Sequence, residues 1–282
     1  MKKILFGFFV FVFFLQGYAF SQTTFLELYN RGGFFDTNLE KQSFASLLGR
    51  FEGKAGWAFL EHKLHLYGVY YGAASQADDY WNNYLTTGVG MRVIPFNSYR
   101  GRGWADEWIK GVKFFVESIG TTYLKNSVSA EALAKTDCRY GLEIWHEWNQ
   151  EAPIPSLPWG ELWAQYAYRE TNFGWEEFKD KIFYFQPKMG IHLGDMIKPY
   201  LCINVTASAK EGPAYSFLNI ADYGLGIRFQ PFQDIGSRQD LFRKFKMFVE
   251  VVKVSYLKDK PAEANKQVSQ DVRFGVEFSY GR

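Results

Sequence analysis

Along most of this chain apolar and polar residues alternate one by one. In "GVGMRVIPF" at 88–96, Val89, Met91 and Val93 fall on one parity, while Gly88, Gly90 and Arg92 fall on the other. From 137, "DCRYGLEIWHEW" sets Cys138, Tyr140, Leu142, Ile144, His146 and Trp148 against Asp137, Arg139, Gly141, Glu143 and Glu147. A period of two is the mark of a strand with two unlike faces. Twelve segments carry it: roughly 24–35, 46–60, 63–75, 84–96, 111–125, 137–150, 158–172, 180–193, 196–208, 217–232, 244–258 and 269–281. The third, "KLHLYGVYYG", is apolar on both parities, so its facing stays open. The eleventh slips in parity near Val251 and Val252, and a β-bulge there is the expected cause.

These segments are about twice as long as the usual soluble strand and match the about 9–11 residues of a tilted strand crossing a bilayer. Some connections are tight ("EHK", "GD") and others long and polar ("KNSVSAEALAKT", "DKPAEANKQV"). A soluble sandwich would also bury one face, but it explains neither the strand length nor an inner face of Gly, Arg and Glu.

The pattern is also written twice. "GVGMRVIPF" at 88 returns as "GLGIRFQPF" at 224, and "KFFVESIGTTYLK" at 113 as "KMFVEVVKVSYLK" at 246. "DCRYGLEI" at 137 returns as "DVRFGVEF" at 271, and "EGKAG" at 52 as "QPKMG" at 186. Offsets stay between 133 and 136 and change only in predicted loops. Six strands close poorly into a membrane barrel, whereas twelve antiparallel strands close without edges. The expected fold is all-β: a transmembrane antiparallel β-barrel of twelve strands, built from two tandem six-strand repeats at about 22–155 and 156–282. Two separate soluble six-stranded barrels are the alternative.

The first residues read as an export signal. Lys2 and Lys3 precede the apolar run Ile4 to Leu15, and Ala19 and Ser21 suit cleavage after Ser21. Residues 1–21 are therefore expected to be removed, leaving a barrel over 22–282 in the bacterial outer membrane. Beyond them no apolar run reaches the about 18 residues of a spanning helix. A net charge of +2 with interspersed signs gives no reason to propose nucleic acid. Cys138 and Cys202, on faces of opposite sense, read as free thiols.

On the inner parity both halves repeat their charges. Glu27 and Glu161 correspond, as do Lys54 and Lys188, Arg92 and Arg228, Glu117 and Glu250, Arg139 and Arg273, and Glu143 and Glu277. Arg92 is expected to pair with Glu117, and Arg139 with Glu143. Such residues build either an ion-pair network that props the lumen or a polar channel lining that meets a passing ion or glycan. Four histidines without ligand spacing and the lack of a Gly-x-Ser-x-Gly element speak against an enzyme, and nothing calls for a metal or cofactor. Trp57, Trp81, Trp145, Trp148, Trp159 and Tyr168 fall near strand ends, where interfacial girdles place aromatics. Trp163 is on the inner parity. Two long connections, 97–110 and 233–243, each follow a Pro-Phe. They mix aromatics with basic residues (Trp104, Trp108, Arg102 and Lys110; Phe242, Arg238, Arg243 and Lys244), as an amphipathic segment at the membrane surface would.

"GELWAQYAYRETNF", "FQPKMGIHL", "GLGIRFQPF" and "DVRFGVEFSYGR" together resemble the C-terminal barrel of the bacteriophage adsorption protein A family and of outer-membrane barrels linked to exopolysaccharide export. The resemblance is fullest over 158–282 and reaches the first half through the repeat. It implies a barrel serving extracellular polysaccharide or cell-surface glycan, with outer-membrane lipid, a glycan and periplasmic export proteins as partners. The alternative is a non-conducting structural or receptor-type barrel, its lumen closed by internal ion pairs.

Overall fold

The computed structural model describes residues 23–37, 44–76, 82–98, 104–124, 136–150, 157–173, 176–212, 218–232, 240–258 and 270–281. The export signal lies outside them. Twelve strands form a closed antiparallel barrel in which each pairs with its chain neighbours and β1 pairs with β12. They are β1 (Thr23–Thr37), β2 (Phe44–Phe59), β3 (Leu64–Ser75), β4 (Tyr84–Val93), β5 (Val112–Tyr123), β6 (Thr136–Trp148), β7 (Trp159–Phe173), β8 (Glu176–Gly190), β9 (Ile197–Ser208), β10 (Ile220–Phe229), β11 (Phe245–Tyr256) and β12 (Gln270–Tyr280). Among the described residues two short helices, α1 (Trp104–Lys110) and α2 (Asp240–Arg243), follow β4 and β10. An even strand number leaves both described ends of the barrel at one rim, the terminal rim.

Closure follows from the alternation. Every strand pairs on both edges, so no backbone ladder is left open. Outward side chains are apolar and exposed: Val89, Met91 and Val93 on β4; Leu201 and Ile203 on β9; Leu225, Ile227 and Phe229 on β10; Val272, Phe274 and Val276 on β12. Inward side chains are mostly polar, charged or aromatic and mostly buried, with a few aliphatics such as Val69, Ile119, Ile182 and Val252 among them. Among the described residues no helix is long and apolar enough to cross a membrane. An apolar outer band around a polar interior is the arrangement of a barrel that crosses lipid with its strands.

Two strands settle what parity left open. β3 turns His65, Tyr67, Val69 and Tyr71 inward and Leu64, Leu66 and Tyr70 outward. The expected bulge in β11 does not exist. Its pairing runs unbroken on both sides through Val251 and Val252. Val252 points inward because an apolar site awaits it, a cluster with Trp159, Tyr200 and Cys202. The slip came from an apolar residue on the inner face, not from an extra residue. β4 and β10 are each ten residues long and stop at Val93 and Phe229, ahead of the prolines.

The turn after β2 is tight. Leu60, Glu61 and His62 all have positive φ, and the Asn97 amide braces them by donating to the Glu61 carbonyl at 3.0 Å.

Candidate functional site

The inner wall carries two ion-pair networks. In the first, Arg92 on β4 reaches Glu27 on β1 through two bonds of 2.8 and 2.5 Å, although two strands stand between them. Its Nε also donates to His65 Nδ1 at 3.0 Å. Lys113 lies 4.0 Å from Glu27 and 3.9 Å from Glu143. Lys54 lies 3.3 Å from Glu117 and 3.9 Å from Glu143. Glu117 accepts hydrogen bonds from Tyr67 at 3.0 Å and Tyr71 at 2.9 Å.

The second network has the same plan. Glu161 takes Arg228 at 2.7 Å and Lys188 at 3.1 Å, with Lys246 at 3.7 Å. Glu277 shares the same three cations at 3.8, 3.4 and 3.9 Å. Glu250 accepts from Tyr200 at 2.8 Å and from Arg31 at 2.5 Å. Arg273 holds Asp222 at 2.6 Å and Asp271 at 2.5 Å, as Arg139 holds Asp137 at 2.5 Å.

All twelve charges singled out from the sequence thus sit on the inner wall in direct polar contact with neighbours. Their partners differ from those expected. Arg92 bonds Glu27 rather than Glu117, and Arg139 bonds Asp137 rather than Glu143. Residues four apart on a strand are about 13 Å apart at their backbones, so both side chains must stretch along the wall to meet, whereas residues two apart meet without stretching. The curl of the wall then brings β1 opposite β4, a closeness that no linear pattern encodes. Most of these heads are almost shut off from water: the Arg228 and Glu250 side chains are each 1% exposed. At that burial an ion pair survives only if every charge has partners; Glu27, Glu117, Glu143, Glu161, Glu250 and Glu277 each have two or more, while Asp222 and Asp271 share Arg273.

The glycines of the two copies of the motif belong to this construction. A Cβ placed on Gly90 would lie 2.6 Å from the Tyr67 ring, and one on Gly226 would lie 2.4 Å from the Tyr200 ring. The missing side chain lets each tyrosine lie flat across the neighbouring strand and reach the glutamate one strand further on. Arg92 and Arg228, two positions along, cover the same rings at 5.6 and 5.4 Å. Each also stacks on an aromatic from β1 or β7: Arg92 on Phe25 at 4.8 Å, Arg228 on Trp159 at 4.6 Å.

Several members were missed in the sequence. His65 and Tyr67 were hidden by the double apolar parity of β3. Lys113, Lys246, Asp137 and Asp271 share the parity of the residues that were chosen, and their recurrence was the usable signal.

Not all of the inner wall is packed shut. Gln186 and Arg50 are exposed, and Glu52, Trp163, Gln165 and Tyr184 are half-buried, so water reaches the inner face at β1–β2 and β7–β8. Two aromatics assigned to a girdle stand inside instead. Trp159 is fully buried against Tyr200, with centroids 5.7 Å apart, and Trp145 shares the inner face with its register partner Trp163. Strand-end position had suggested lipid contact, but parity decides which side of the wall an aromatic takes. Trp57 and Trp148 do face outward, and Trp81 lies outside the described residues. Trp148 joins His146 and Trp108 of α1, with Trp108–His146 centroids 4.5 Å apart, so the helix rests on the outer wall of β6. In the second copy Phe232 packs with Phe242 and Phe245. Arg102 and Arg238 lie outside the described residues. Cys138 and Cys202 are both free thiols. Among the described residues no group of three or more His, Cys, Asp or Glu is placed to hold a metal.

The protein is a β-barrel of the bacterial outer membrane. No family model and no curated protein matches the chain. Solved structures with similar folds include the NanC porin, at 10% identity and TM-score 0.46 over 89% of this chain and 98% of that one. The KdgM porin, in complex with disordered oligogalacturonate, gives 13% and 0.36 over 90% and 99%. An outer-membrane channel of Pseudomonas putida F1 gives 9% and 0.40 over 93% and 97%.

Proposed function

We propose that the protein is a transport or export barrel whose ion-pair networks prop the wall and leave a narrow polar passage along the inner faces of β1–β2 and β7–β8. One observation carries it: water reaches Arg50, Glu52, Gln186 and Tyr184 on the inner face, while the paired charges are packed away. A barrel built only as a plug would gain nothing from keeping this strip wet. Cations and anions on the inner wall nearly balance, so the passage suits slender polar solutes without strong charge preference. Association with extracellular polysaccharide or cell-surface glycan belongs to the same proposal and rests on the family resemblance. So does a build from two duplicated halves, supported by the recurrence of whole contacts: Glu27–Arg92 with Glu161–Arg228, and Tyr67–Glu117 with Tyr200–Glu250. An export signal at residues 1–21 fits the location.

A second reading has its own support. Arg92–Glu27 and Arg228–Glu161 each bridge non-neighbouring strands, as the side chains of a closed, structural or receptor-type lumen would. Purified protein in planar bilayers separates the two. Discrete conductance steps, with weak cation-to-anion selectivity, are expected of the transport barrel. A silent membrane containing folded, heat-modifiable protein would establish the closed form.

A further inference from the structure

We propose that the inner faces of β6–β9 form a binding site for an uncharged sugar ring. This rests on the passage described above and specifies what it recognises. The register sets Trp145 beside Trp163 and Trp163 beside Gln186, so two indoles and an amide share one level of the wall. Tyr184 stands next to them, its ring 5.7 Å from that of Trp163, and Arg169 covers it at 4.9 Å. Asn204 follows on the inner face of β9.

What distinguishes this patch is its unused chemistry. Polar heads elsewhere on the inner wall are largely bonded to one another. Here the Trp163 indole N–H, the Tyr184 hydroxyl and the side-chain amides of Gln186 and Asn204 have no hydrogen-bond partner among the described residues, and none of them is fully buried. Flat apolar faces bordered by unpaired amide and hydroxyl groups match a pyranose, which offers an apolar C–H face and a rim of hydroxyls. The one charge in the patch, Arg169, is turned along the wall, stacking on Tyr184 and donating to Gln165 at 3.3 Å, with the acidic Asp180 as its register partner on β8. The corresponding positions of the first half carry Tyr29, Glu52 and Tyr71 in place of Trp163, Gln186 and Asn204, which makes the site one-sided.

The test uses maltohexaose as an uncharged probe and oligogalacturonate as an acidic one. In planar bilayers, maltohexaose should interrupt the current in a saturable way, and more strongly than the acidic sugar. Trp163→Ala should raise the half-blocking concentration about threefold to tenfold, the equivalent of one ring contact. Tyr166→Ala, on the outer face of the same strand, should leave it unchanged. A current insensitive to maltohexaose, a preference for the acidic sugar, or a block indifferent to Trp163→Ala would overturn the site while leaving transport standing. If no current flows at all, transport falls and fluorescence decides the site. A saturable tryptophan response to maltohexaose in detergent, lost in Trp163→Phe, upholds it; no response overturns it.

Discussion

Gly226→Ala adds a single methyl group, and the wall gives a definite expectation for it. The new Cβ would stand 2.4 Å from the ring of Tyr200, a side chain only 3% exposed and held by its bond to Glu250 at 2.8 Å. The ring cannot withdraw without breaking that bond. Overpacking a filled site costs about 1–3 kcal/mol, and a hydrogen bond to a carboxylate contributes about 1.5–3 kcal/mol. Since the methyl need not forfeit both in full, Gly226→Ala should destabilise the barrel by about 2–4 kcal/mol. In a Tyr200→Ala background the space is free, and the same change should stabilise by about 0.5–1 kcal/mol, because glycine is the costlier strand residue. The sign therefore inverts. Urea unfolding in phospholipid vesicles, followed by tryptophan fluorescence, gives all four corners of the cycle. Costs that add to within about 0.5 kcal/mol would show that glycine is not there to seat the tyrosine. Gly90→Ala with Tyr67→Ala should repeat the result.

The same assay reads facing: Ile227→Arg or Val276→Arg should cost about 2–4 kcal/mol at mid-membrane, while Gln186→Arg, on the wet inner face, should cost under about 0.5 kcal/mol. Equal costs at all three would contradict the assigned sides. Glu161→Gln strips one carboxylate from Arg228, Lys188 and Lys246, leaves them to share Glu277, and should cost about 3–5 kcal/mol. A loss below about 1 kcal/mol would mean water screens the network far better than its burial implies. Trp108→Ala removes the ring contact that seats α1 on His146 and Trp148, so trypsin should cut after Lys110 sooner; an unchanged rate would deny the helix its anchor.

Strand number, facing and closure were legible because lipid imposes a strict rule on one parity. Val89, Met91 and Val93, or Leu225, Ile227 and Phe229, have no other place to go. The inner parity obeys a looser rule, and there the expectations failed. Val252 looked like a register slip because an apolar residue inside a barrel breaks the alternation, yet Trp159 and Tyr200 make a dry site for it. Trp145 and Trp159 were assigned to the girdle by their nearness to strand ends. Ion-pair partners were the least legible feature of all. Which carboxylate Arg92 reaches depends on how tightly β1–β4 curl, and that curl is set by packed rings such as Tyr67 over Gly90.

The placement of differences between the halves bears on function. Under the duplication proposed here, positions that build the wall answer to the same packing in both copies and stay alike: Glu27 with Glu161, Arg92 with Arg228, Tyr67 with Tyr200, Glu117 with Glu250. Positions free of that duty could drift or take up a task. Five water-reached pairs that differ are Tyr29 and Trp163, Arg31 and Gln165, Arg50 and Tyr184, Glu52 and Gln186, and Tyr71 and Asn204. All ten side chains are on the inner face, and nearly all are within reach of water. On the first-half side three of the five, Arg31, Arg50 and Glu52, are charged, and several are tied into the networks, as Arg31 is to Glu250 at 2.5 Å and Tyr71 to Glu117 at 2.9 Å. On the β7–β8 side they are aromatic or amide, and several of their polar groups are unspent. In these five pairs the charges lie on one side and the unpaired amides and rings on the other, whereas the buried pair Ser46 and Asp180 puts its charge on β8. A passage with one wall for propping and one wall for recognition would sort them in this way, and that division is why the β6–β9 face, rather than the ion pairs, is where a cargo should be sought.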